Sequence, residues 1–256
     1  MELLLHLYSG KIVVFAMVFS RIGAMALLAP IFGSRAIPLH IRVLIAVVLS
    51  VLVAPLQWQV GIAIPSSHSE IFVGLLVNIL IGASLGIAVM TLFSGFTLAG
   101  GLIAQTGTAM VPAQSMDPLS PNCPVPVRLL QILALAIFVA IGGHRLMMMS
   151  ILDSFRALPA ADTTLPGGML ETMTRLVSES FRMAVRVAAP AVTAVLAATL
   201  LIGLASRAMP QLNSFTMGFT VNLWVTFLAL LFSLAVIGHL FSDEVTSFMS
   251  IWQQTF

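Results

Sequence analysis

From Ile71 to Ala104 the chain carries no charged residue. As one helix, rising 1.5 Å per residue, this stretch is roughly 50 Å long, against a bilayer hydrocarbon core of about 30 Å. Ordinary tilt does not absorb that excess. Two readings stand: the run breaks, or it continues beyond the membrane against other protein. Neither is open to a water-soluble fold. Hydrophobic residues make up 59% of the chain and charged residues only 8%, with a mean hydropathy of +1.10. Soluble domains run about 25% charged. The sequence therefore specifies an all-α integral membrane protein.

Apolar runs fall at 12–32, 39–58, 71–104, 127–152, 183–205 and 214–240. Each is long enough, or nearly so, to span a bilayer as a helix. This gives about six long, partly broken helices, packed as hairpins in a single domain over residues 1–256. No segment between the runs has room for a core of its own. The N-terminus opens on Glu2 rather than a basic cluster, and Arg21 interrupts before any small-residue cleavage site. It reads as retained rather than as a cleaved signal. Along the third run, small residues recur at helical spacing: Gly82, Gly86, Thr91, Gly95 and Ala99. Such positions let helix backbones approach closely, although glycine is also common in membrane helices generally.

The basic residues are all Arg except Lys11, and the net charge is +2. Nucleic acid is excluded as a partner, because phosphate binding needs clustered basic residues. Arg21 lies within the first run, and Arg182 and Arg186 stand one turn apart at the start of the fifth. A charge at bilayer depth costs a few kcal/mol. These side chains need partners in protein, or the segments sit shallow. Glu171, Arg175, Glu179, Arg182 and Arg186 recur at spacings of three and four. That sets them on one helical face, with Glu preceding Arg in the favourable order. A polar-faced helix emerging from the membrane fits this pattern, and so does a plain solvated face. Orientation stays open. Arg35, Arg42, Arg128 and Arg207 fall after odd-numbered runs, and Lys11, Arg145, Arg156 and Arg175 balance them on the other side.

The sequence offers no case for an enzyme. Its acids lie near run ends or between runs, where a proton- or sodium-coupled carrier places a carboxylate within a span. His6, His40, His68, His144 and His239 are scattered, with no HExxH pair, and neither GxSxG nor a P-loop is present. The single cysteine, Cys123, rules out an internal disulfide framework and a four-Cys metal site. No cofactor is implied. What stands out instead is a set of breaks: "GSRAIP" (33–38), "TGTAMVPAQSMDP" (106–118) and "AMPQLN" (208–213). Pro210 marks a turn, and Gln211 and Asn213 can bond backbone groups freed there. That turn is either a polar hairpin tip bonded to other protein or an ordinary aqueous turn between two spans.

Four stretches carry a resemblance over nearly the whole chain: "RIGAMALLAPIFGSRAIPLHIRVLIAVVLS", "GGLIAQTGTAMVPAQSMDP", "GHRLMMMSILDSFRALP" and "RVAAPAVTAVLAATLLIGLASRAMPQLNSFTMGF". They resemble the FliR family of flagellar biosynthetic proteins and its counterpart in injectisome type III secretion. Arg207, Pro210, Gln211, Asn213 and Phe215 form the most specific match. Arg21, Pro30, Gly33, Arg35, Pro38 and Arg42 form a second, and Asp117–Pro118 a third.

The resemblance implies a subunit of the type III export gate in the bacterial inner membrane at the flagellar basal body. It implies FliP-like and FliQ-like subunits, an FlhB-like switch protein and unfolded export substrates as partners. It makes the Arg207–Phe215 hairpin a subunit interface. It places Met110, Val111, Pro112 and Met116 in a loop that plugs the closed pore, where the family often has Phe side chains. "NSFTMGFT" is closer to the flagellar form than to the injectisome form. The competing class is a small secondary transporter, which needs a substrate site within this one chain.

Overall fold

The computed structural model describes residues 2–29, 38–58, 67–107, 120, 122–208 and 214–253. These residues form seven helices and, among them, no strand. The helices are α1 (Glu2–Leu28), α2 (Leu39–Trp58), α3 (His68–Gly107), α4 (Val125–Ala140), α5 (Gly143–Ala157), α6 (Met169–Ala208) and α7 (Ser214–Gln253). Among the described residues, four segments are long and apolar enough to cross a membrane: Gly10–Leu28, Leu39–Trp58, His68–Thr106 and Met169–Ala208. Counting α4 and α5 as one broken span makes five.

Six runs thus become seven helices. The fourth run splits at Ile141–Gly142, where Gly142 takes a left-handed φ of 74° and serves as the N-cap position of α5. Glycine adopts that conformation at no steric cost, so it ends α4 and starts α5 at once. The third run does not break. It is a continuous helix of 40 residues, as are α6 and α7. Each of these three is roughly 60 Å long, about twice the hydrocarbon thickness. In α6 the polar Glu171–Arg186 segment and the fifth apolar run form one helix, which continues through Pro190. Pro124 and Pro126 flank the start of α4, where a missing N–H costs nothing.

The chain divides into two compact units. The first holds Met1–Thr91, Gly142–Leu176 and Thr246–Phe256, and the second holds Leu92–Ile141 and Val177–Val245. In the first unit α1 and α3 pack closely and in the same direction. A Cβ on Gly82 would fall onto the carbonyl of Arg21, and one on Gly86 would lie 2.7 Å from Leu28 Cβ and 3.2 Å from the Met25 carbonyl. Met17, Ile22, Met25, Ile81 and Leu85 fill this contact, all buried. On α5 the buried residues Met147, Ser150, Ile151, Ser154 and Phe155 form one stripe at helical spacing, the face that docks it. Trp252, from the end of α7, is buried here too, its indole N–H 3.4 Å from Ser84 Oγ.

In the second unit Gly95 lies against α6, its Cβ position 2.9 Å from the Ser180 carbonyl, and Gly100 lies against α4, 2.5 Å from Val127 Cα. Ser94 and Ser180 hydroxyls meet beside Gly95 at 3.3 Å. Phe241 stands among Phe96, Phe93 and Phe138, with ring centroids 4.9, 6.1 and 6.5 Å away. The glycines of the expected small-residue stripe therefore seat α1 and α6 on successive stretches of α3. Thr91 does less, since its hydroxyl bonds back to Ile87 of its own helix at 2.8 Å.

Candidate functional site

The most unusual polar cluster in the first unit surrounds Arg21. Its side chain is fully buried. A guanidinium carries five N–H donors in a fixed fork and accepts nothing. Nε donates to Asn78 Oδ1 of α3 at 2.9 Å, and Nη1 donates to the Ser154 and Leu158 carbonyls at 3.0 and 2.9 Å. The Phe155 ring lies 4.3 Å from Cζ, within cation–π range. Nη2 has no hydrogen-bond partner among the described residues. A charge in an apolar run thus finds its partners in protein, as the cost of burial demands.

Two amides complete the cluster. Asn78 Nδ2 donates to the Gly74 carbonyl at 2.7 Å and to the Ala160 carbonyl at 2.9 Å. Gln57, in the last turn of α2, donates to the Phe155 carbonyl at 3.5 Å and accepts from the Ala160 N–H at 3.1 Å. Sequence reading singled out neither residue. The available signal was Asn78 itself, an amide within a long uncharged run. Chemically, this arrangement holds backbone and offers no nucleophile or paired carboxylates.

The remaining charges follow the spacing seen in the sequence. Arg175 meets Glu171 at 2.7 Å and Arg182 meets Glu179 at 3.0 Å, all on α6. Both arginines are exposed. Arg186 instead reaches Glu244 of α7 at 3.8 Å. Glu244 is buried, so an acid that lies beyond the sixth run in sequence is enclosed by helix packing. Exposed i,i+4 pairs are worth about 0.5 kcal/mol or less. Arg175→Ala is therefore expected to leave thermal stability in detergent unchanged, and a marked drop would show that this face is covered.

Other residues singled out by sequence scatter more widely. Pro38 immediately precedes α2, Arg42 lies half-buried in its first turn, Arg207 is exposed in the last turn of α6, and Phe215 lies in the first turn of α7. Pro30, Gly33, Arg35, Met110, Val111, Pro112, Met116, Asp117, Pro118, Pro210, Gln211 and Asn213 lie outside the described residues.

Long apolar helices around a buried polar clamp define a polytopic helical membrane protein. A family model described as bacterial export proteins, family 1, matches residues 12–248. The flagellar biosynthetic protein FliR of Pectobacterium carotovorum subsp. carotovorum is 34% identical over 236 residues, covering 88% of this chain and 87% of that protein. FliR of Escherichia coli K12 is 30% identical over 234 residues, covering 87% and 86%, and FliR of Caulobacter vibrioides is 27% identical over 243 residues, covering 94% and 96%. The chain belongs to the bacterial export proteins, family 1. It is a membrane component of flagellar protein export.

Proposed function

We propose that the chain is one subunit of the flagellar type III export gate in the bacterial inner membrane, at the basal body. It assembles with FliP-like and FliQ-like subunits, an FlhB-like switch protein docks on the assembly, and unfolded flagellar proteins pass through the resulting channel. The chain acts there as a single functional domain. The observation that carries this reading is the family match, which spans residues 12–248 rather than one stretch. Physical features of the chain agree with it. Three helices of 40 residues exceed a bilayer, and large apolar side chains stand exposed along α2 and α6, including Leu44, Leu52, Leu200 and Leu204. Subunit neighbours can cover such surfaces as well as lipid can.

Within this reading the hairpin of Arg207, Pro210, Gln211, Asn213 and Phe215 is a subunit contact. The stretch with Met110, Val111, Pro112 and Met116, before Asp117–Pro118, seals the resting pore. A pore wide enough for an unfolded chain passes ions unless closed, and apolar side chains can close it by excluding water. Methionine suits an irregular gap. Affinity purification from a detergent extract of cells with the full partner set is expected to recover FliP- and FliQ-like subunits. Changing Met110 and Met116 together to Ser is expected to make cells leak small solutes while leaving the complex at wild-type level. A solitary chain that carries solute by itself would sink the gate and leave a carrier. A tight, normally assembled double variant would move the seal to another subunit.

A further inference from the structure

We infer that the end of α5 is a latch, docked by its backbone into a seat that Arg21, Gln57 and Asn78 build from three other helices. This inference rests on the first unit's own geometry and not on the export-gate reading. The last carbonyls of a helix have no partner within it. At the end of α5 the Phe155 carbonyl accepts from Gln57, and the Ser154 carbonyl, already bonded to the Leu158 N–H at 2.9 Å, also accepts from Arg21; in the turn beyond, the Leu158 and Ala160 carbonyls accept from Arg21 and Asn78, and the Ala160 N–H donates to Gln57. Almost every bond made by the latch is thus a main-chain bond.

Parts of the seat are organised without the latch. Arg21 and Asn78 bond each other, Asn78 also holds the Gly74 carbonyl, and Gly82 brings the backbones of α1 and α3 together. Beyond Ala160 the chain to α6 is tied mostly to itself. Asp162 Oδ1 accepts from the Thr164 N–H and hydroxyl at 2.9 Å each, and residues 163–165 are exposed. A polar joint in apolar surroundings fixes one register, because any slip leaves a buried cation and several carbonyls unpaired. It also concentrates the holding energy in a few bonds. The end of α5 can therefore open locally while α1 and α3 stay packed.

Single-cysteine reporters separate this from ordinary core packing. In a Cys123→Ala background, Ala160→Cys reports on the latch and Ala88→Cys on the packed face of α3, both buried at the start. Membranes from cells carrying the complete export system are labelled with a small membrane-permeant maleimide. Arg21→Met is expected to speed labelling at position 160 about tenfold or more, the scale of losing bonds to a charged donor. Position 88 stays protected. Gln57→Leu, which leaves Arg21 in place, is expected to raise the rate at 160 less, and it keeps the test usable if Arg21→Met fails to accumulate. The latch is refuted if both sites open together, which makes Arg21 a general core residue, or if position 160 stays protected in each variant that accumulates.

Discussion

Gly82→Ala is expected to cost more than any other single methyl group added to α1 or α3. In an exposed helix interior the change from Gly to Ala is favourable by about 1 kcal/mol. At Gly82 the sign reverses, because the new Cβ meets backbone: it falls onto the Arg21 carbonyl oxygen and 2.8 Å from the carbonyl carbon. Backbone cannot rotate away as a side chain can, so α1 must move off α3. Overpacking of this kind costs about 1–3 kcal/mol, occasionally more. The shift also pulls the Arg21 side chain from its partners, and each buried group left unpaired adds about 1–3 kcal/mol. The same substitution at Gly23 or Gly203 meets nothing within 4 Å. Thermal inactivation of the purified complex in detergent, with membrane levels measured alongside, is expected to show Gly82→Ala strongly depleted and the other two at or above wild type. Equal stability of all three would mean that α1 and α3 do not approach this closely in the membrane.

Close approach at Gly82 and Gly86 was one of two readings the sequence allowed, and the α1 backbone beside both decides it over the general abundance of glycine in membrane helices. The need of Arg21 for protein partners was legible from the cost of burying a charge. The partners themselves were not. Asn78 and Gln57 are amides with no partner named by spacing, and Ser154, Leu158 and Ala160 contribute mainly backbone, which carries no residue signature. The fourth run read as one apolar helix because hydropathy averages over the Gly142–Gly143 pair, whereas the φ of Gly142 divides it. The third run left break and continuation open, since its glycines are compatible with either. Its glycines serve instead as close approaches, to α1 at Gly82 and Gly86, to α6 at Gly95 and to α4 at Gly100, within one unbroken helix. Glu244 does lie near a run end, but its burial was not legible there, because it comes from helix packing and not from its own flanks. The hairpin at Pro210–Asn213 and the loop at Met110–Met116 rest on family resemblance and on the experiments proposed for them.

Phe241→Ala is expected to produce the largest loss in the second unit. Its ring is fully buried, and it meets Phe96, Phe93 and Phe138, so one side chain joins α7 to α3 and α4. The centroid distance to Phe96 is 4.9 Å with the planes at 74°, the edge-to-face geometry that aromatic pairs favour. Removing a buried Phe leaves a cavity and costs about 3–5 kcal/mol. Two of the remaining rings still touch, since Phe93 and Phe138 lie 5.4 Å apart, so the hole cannot close without moving that pair. Phe241→Leu keeps apolar volume in the gap and is expected to lose less. Phe227, on the same helix and 39% exposed, supplies the comparison: its change to Ala removes a ring that is already partly outside the packing and is expected to lose much less. The measurement is the temperature at which purified complex loses its monodisperse peak in detergent. The order expected is wild type, with Phe227→Ala and Phe241→Leu below it, and Phe241→Ala far below both. If Phe241→Ala tracks Phe227→Ala instead, the four rings do not form the core of this unit. The place of α7 in this unit would then depend on contacts such as Glu244 with Arg186 of α6, and truncating Glu244 would become the more damaging change.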